Sequence, residues 1–160
     1  MKSIITGLCL VLSSTVCFSQ KSERNGDIYI KHPFIEIVNK TNAAYLANDT
    51  AANRMFYADT ARFWVSGMKK PVSYSDNLKH WAGDYSYYDS IRLVPTGYLD
   101  YLAYKDADTK VVQSWGKWYG KSKKTGETLR VDFVQFDNFN KDGKIEFEAI
   151  YGDFSQMGKN

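Results

Sequence analysis

Cysteine is almost absent from this sequence: there are two, Cys9 and Cys17, and both fall within the first twenty residues. The rest of the chain has no thiol, which excludes a disulfide framework, thiolate metal ligation and a cysteine nucleophile there. Histidine is as scarce. His32 and His80 stand alone, without HxxxH or HxH spacing, and two such residues do not make an imidazole metal site. Charge of one sign is also lacking: 21 Lys and Arg face 18 Asp and Glu, a balance that gives no broad basic surface for nucleic acid. The three lysines of KSKKTGE, Lys121 to Glu127, read as a solvated turn. No G-x-S-x-G, Walker loop or GxGxxG occurs. No apolar run reaches the length of a membrane-spanning helix.

The first stretch, MKSIITGLCLVLSSTVCFSQ, reads as an export signal. Lys2 is the positive n-region, Ile4 to Val16 the apolar h-region, and Cys17-x-Ser19 the cleavage site. Ser14 and Val16 stand where a lipobox needs Leu and a small residue, so Cys17 is not expected to carry lipid. Residues 1–19 are thus expected to be removed as a signal peptide, leaving a secreted or periplasmic protein. Residues 20–31 read as a disordered leader. Residues 32–160 make one domain, long enough for its own core.

Aromatic residues are abundant, with 4 Trp, 12 Tyr and 9 Phe, a composition that suits a packed core or a ligand cleft. From Pro33 the pattern is helical, with Phe34, Ile37, Val38, Thr41 and Tyr45 on one stripe. Asp49 is an N-cap for a short second helix, with Ala52, Met55 and Phe56 inward. A strand follows over Ala61 to Gly67. A third helix begins near Ser73 or Ser75, where Tyr74, Leu78, Trp81, Tyr85 and Tyr88 recur at helical spacing. Beyond Asp89 the chain is strand-like almost to its end, divided by the turns DADTK, KSKKTGE and NKDG. Helices first and an antiparallel sheet afterwards make an α+β domain.

The segment FDNFNKDGKIEFEAIYGD, Phe136 to Asp153, invites a calcium-loop reading. If Gly143 took the sixth position of an EF-hand loop, the first would be Asn138 and the twelfth Ala149, where the motif needs Asp and Glu. The segment is read instead as a hairpin, and no metal or cofactor is expected. Glu146 and Glu148 share a face opposite Ile145, Phe147 and Ala149, and read as an outward polar row.

The run AAYLANDTAANRMFYADTARFWVSG and the closing DGKI resemble the nuclear-transport-factor-2-like superfamily, which includes SnoaL-like polyketide cyclases and ketosteroid isomerases. The resemblance implies a cone-shaped α+β barrel, with three N-terminal helices packed on a curved, mostly antiparallel sheet around an apolar pocket. In the ketosteroid isomerase comparison, Thr41 stands in place of the oxyanion-stabilising Tyr and Val65 in place of the Asp base. The chain therefore lacks that isomerase's pair of functional groups.

No complete catalytic set is legible. The first reading is an exported SnoaL-like domain that binds a small apolar or aromatic molecule, with Trp64, Trp81, Tyr85 and Trp118 lining the cone. The alternative is a cyclase, dehydratase or isomerase that uses Asp132 or His80. A third is a structural or protein-binding dimer whose cone is filled by side chains. Asp132 follows Arg130 on the same strand face, where the two can pair. Trp115 and Trp118 have opposite parity, as do Phe133 and Phe136, so both sheet faces are apolar. A homodimer through the outer face is expected. An open cavity lined by Trp and Tyr with a buried carboxylate would favour the enzyme.

Overall fold

The computed structural model describes residues 23–105 and 107–157. The export signal expected over residues 1–19 lies outside the described residues. The elements are β1 (Gly26–Tyr29), α1 (Pro33–Leu46), α2 (Thr50–Arg54), β2 (Tyr57–Val65), β3 (Val72–Ser73), α3 (Tyr74–Tyr87), β4 (Tyr88–Pro95), β5 (Asp100–Tyr104), β6 (Lys110–Ser122), β7 (Thr128–Phe139) and β8 (Ile145–Gly152). The sheet runs β1-β5-β6-β7-β8-β2-β3, with β4 paired to the second half of β6. Its two ends do not meet, so the strands form an open sheet rather than a closed barrel. All pairings are antiparallel except β2 with β8. The segment expected as a disordered leader contains β1, which pairs with β5 and moves the start of the ordered domain ahead of His32.

Each helix begins where its capping chemistry directs. Pro33 fixes the first turn of α1, and the Phe34 amide donates to His32 Nδ1 at 3.2 Å. Asp49 Oδ1 accepts from the Ala52 amide at 2.9 Å to start α2, and Ser73 Oγ accepts from the Asp76 amide at 3.2 Å to start α3. α1 buries Ile35, Val38, Thr41 and Ala44. In the short helix α2, Met55 is exposed, contrary to the expected inward stripe, and Asn53 is the buried residue. Asn53 is held there by polar contacts: its Nδ2 donates to the Thr41 carbonyl, and its Oδ1 accepts from Tyr74 Oη.

Face parity on the last three strands decides what reaches the interior. On β7, Val131, Gln135, Asp137 and Phe139 are buried, whereas Asp132 is exposed. On β6, Trp118 is buried and Trp115 exposed. On β8 the expected alternation is broken. Phe147 pairs with Asn138 but Ile145 pairs with Phe139, which leaves Glu146 as an extra residue. Ile145 is consequently buried and Glu146 exposed. Glu148 turns inward beside Asp137 instead of standing in an outward row.

The hairpin joining β7 to β8 uses Asn140 as its organiser. Asn140 Oδ1 accepts from the amides of Asp142 and Lys144, both at 3.0 Å, and Gly143 takes a φ of 73°. That side-chain oxygen is committed to the turn.

Candidate functional site

Between the helices and the inner sheet face lies a cavity of about 540 Å³. α1 contributes Thr41 and Tyr45, and α3 contributes His80, Trp81 and Asp84. The opposite side comes from Trp118 on β6, Phe133 and Gln135 on β7, and Glu148 and Ile150 on β8. The cone is therefore open rather than plugged. Its rings are mutually braced: Tyr45 meets Trp81 edge to face at 5.2 Å, and Tyr88 meets Trp118 at 5.1 Å.

Two carboxyl centres face this space. Asp84 lies on the cavity side of α3 one turn after Trp81. Its Oδ2 accepts from Tyr45 Oη at 2.9 Å, and Trp118 Nε1 donates to the same Tyr45 oxygen at 2.9 Å. With the indole occupying one of its lone pairs, the Tyr45 hydroxyl directs its proton at Asp84. Tyr85 Oη donates to the Tyr45 carbonyl at 2.5 Å and fixes α3 against α1. Burial raises the Asp84 carboxyl to about 6, against the opposing effect of the Tyr45 hydrogen bond. Burial, followed by the Asp84 charge, pushes the Tyr45 phenol well up, so Tyr45 remains a hydrogen-bond donor at neutral pH.

The second centre is a pair. Glu148 Oε2 accepts from Tyr57 Oη at 2.6 Å, and Gln135 Nε2 donates to both oxygens of fully buried Asp137 at 3.1 and 3.0 Å. Asp137 and Glu148 stand opposite each other in the β7–β8 register. Burial, then the neighbouring Glu148 charge, drives Asp137 well up. Burial also raises Glu148, while hydrogen bonds from Tyr57 and Asp137 favour its charged form. Burial thus holds both carboxyls above the ordinary range, and the two titrate as a pair. Among the described residues, the ion pairs are Arg24–Asp27, Arg54–Asp59, Lys79–Asp76, Lys123–Asp89 and Arg130–Asp132. None includes Asp84, Asp137 or Glu148.

The structure divides the residues singled out from sequence. Trp81, Trp118 and His80 line the cavity, with His80 at its exposed rim. Tyr85 acts from behind Tyr45. Trp64 lies on the outer face, where its ring sits 4.9 Å from Tyr151 and its Nε1 donates to the Met68 carbonyl at 3.0 Å. Asp132 also lies outside the cavity, exposed and bonded through both oxygens to Arg130 Nη2 at 2.9 and 2.7 Å. It is not placed to act on a molecule in the cone. Thr41 and Val65, the positions matched to the isomerase pair, do line the cavity. They bring no acid or base to it.

No protein-family model matches the sequence, and no curated protein matches it. Solved structures do. A protein of ketosteroid isomerase-like fold from Catenulispora acidiphila, in complex with trimethylamine, aligns with a TM-score of 0.61 at 16% identity, covering 79% of this chain and 91% of that one. A putative SnoaL-like polyketide cyclase from Shewanella denitrificans aligns at 0.61 and 9% identity, covering 79% and 95%. An NTF2-like protein of unknown function from Burkholderia pseudomallei aligns at 0.63 and 13% identity, with the same coverages. The fold is SnoaL-like and NTF2-like.

Within the SnoaL-like fold the cavity carboxyls could have been sought at two positions. Asp84 is three residues from Trp81 and four from Tyr88, within the apolar stripe of α3, where a lone carboxyl is out of place. Asp137 has the parity of Val131 and Phe139. Glu148 gave no such signal, because the extra residue at Glu146 reverses the parity that sequence alternation implies.

Proposed function

We propose that this SnoaL-like domain binds a small apolar or aromatic molecule in its cone and transfers a proton on it, with Asp84 as the base. The observation that carries this reading is a carboxyl raised to about 6 inside an open, ring-lined cavity. Such a group is ionised near neutral pH yet basic enough to accept a proton from carbon activated by a carbonyl. Tyr45 orients the carboxyl, and Trp118 orients Tyr45. The reaction class is proton abstraction next to a carbonyl, the step common to isomerisation, dehydration and aldol-type cyclisation. The small-molecule part of the reading is supported by solved neighbours described as a putative polyketide cyclase and as a trimethylamine complex. The export signal read in residues 1–19 supports action outside the cytoplasm.

An aromatic ketone with acidic α-hydrogens, 2-tetralone, tests the reading. It should quench tryptophan fluorescence saturably, and Trp81→Ala should weaken that binding by about 1–3 kcal/mol through lost ring contact. In deuterated buffer the protein should speed deuterium entry next to the carbonyl. Asp84→Asn should reduce that rate by about 100-fold or more while leaving binding in place. Saturable binding without accelerated exchange would make this a binding domain, the first reading from sequence.

A further inference from the structure

The cavity is lined by carboxyl groups from two of its elements, and the basic side chains that line it, Lys79 and His80, are exposed at its rim. Asp84 on α3 and Glu148 on β8 both line it. Their hydrogen-bond donors, the hydroxyls of Tyr45 and Tyr57, are neutral. The cation at the rim, Lys79, is exposed and paired to Asp76 at 2.7 Å. A carboxylate removed from water is stabilised well by an opposite charge and only partly by neutral donors. The rings of Tyr45, Trp81 and Trp118 line the same space, and electron-rich ring faces attract cations. An anionic centre set in a ring-lined space of about 540 Å³ is complementary to an organic cation of modest size and is a poor host for an anion.

Resting on the proton-transfer reading of this cavity, we infer that the natural ligand carries a protonated amine on its apolar or aromatic body, and that Glu148 is its counter-ion. The two carboxyl centres then have separate tasks. Asp84, oriented by Tyr45, exchanges the proton. Glu148, held by Tyr57 and set opposite Asp137 in the sheet, receives the ammonium group and fixes which way round the ligand lies.

The test compares 2-phenylethylamine, a cation at neutral pH, with 2-phenylethanol, its neutral counterpart of nearly equal size, by quenching of tryptophan fluorescence. The amine should bind at least about tenfold more tightly. Glu148→Gln, which keeps an acceptor for Tyr57, should reduce the amine to the affinity of the alcohol, while Asp84→Asn should leave a clear amine preference. If Glu148→Gln does not fold, the wild type gives the same answer as pH falls: the amine preference should disappear as the carboxyls protonate, with the alcohol unaffected. Equal or weaker binding of the amine overturns the inference, as does a preference that survives Glu148→Gln, or an absence of quenching by either probe. Equal binding together with Asp84-dependent exchange into 2-tetralone overturns the charge assignment and leaves proton transfer standing. An amine preference without exchange supports the charge assignment and removes the proton-transfer reading.

Discussion

Strand β7 contains the same local device twice, once on each face. Arg130 and Asp132 pair across two residues on the outer side, and Gln135 and Asp137 pair across two residues on the inner side. The outer pair is charged on both members and exposed, so water does most of the solvating and the bond adds little. The inner pair is fully enclosed at Asp137 and uses a neutral amide, so burial and the neighbouring Glu148 drive the carboxyl well up. Spacing and acid are identical. Face and partner together make one aspartate a surface ion and the other a buried acid behind the cavity wall.

The largest effect expected from breaking this comparison is at the inner aspartate. Asp137→Ala removes the partner of Gln135 and the group packed opposite Glu148, leaving a buried amide unmet and a cavity, and should cost about 3 kcal/mol by denaturant unfolding. A loss below about 1 kcal/mol would mean that the floor is far wetter than its burial indicates.

Next comes the pH dependence of stability. The Asp84 carboxyl lies at about 6 in the folded protein against an ordinary value of 3.8. The folded state therefore binds the proton more tightly than the unfolded state does. Its contribution is full below 3.8 and is lost as pH rises through about 6. Asp84→Asn should remove this loss and gain about 2 kcal/mol relative to wild type on the alkaline side, a figure reduced for the cavity's access to solvent. A gain that is the same at acid and alkaline pH would contradict the raised value. Asp137 and Glu148 shift in the same direction and add slope of the same sign.

The sequence made the scaffold legible because the caps at Asp49 and Ser73 and the helical recurrence through Trp81 are local signals. The site was less legible because its polar groups depend on contacts far apart along the chain. Tyr45 and Trp118 are 73 residues apart, and nothing near either one announces that they meet. Asp132 is conspicuous in the sequence because Arg130 stands two residues away, although exposed pairs are conspicuous for reasons unrelated to chemistry, and Asp137 has no such neighbour. Glu148 was hidden by one extra residue in a strand. That Trp115 and Trp118 lie on opposite faces, by contrast, follows from strand alternation on β6, where no bulge intervenes.

Smaller effects belong to the outer face. Trp115 and Tyr151 are half exposed there, with Trp64 beside Tyr151, an apolar surface of the kind that a second copy would cover. Light scattering at tens of micromolar should find a dimer, and Trp115→Lys should yield a folded monomer. A monomeric wild type would remove the dimer proposal. The smallest effect is at Asp132. Asp132→Ala should leave the melting curve, its pH dependence and the exchange reaction unchanged within error. Loss of exchange in Asp132→Ala would return that residue to the site.

The central claim is that a single carboxyl inside the cavity is poised near neutrality. Carbon-detected NMR of the side-chain carboxyl carbons, with Asp84→Asn to assign the resonance, measures this directly. The account predicts an Asp84 midpoint of about 6 and a midpoint that rises when Trp118→Phe removes the indole donor, because the Tyr45 hydroxyl then donates less strongly to the carboxylate and its freed oxygen accepts from the protonated acid. An Asp84 carboxyl titrating at the ordinary 3.8 would contradict it.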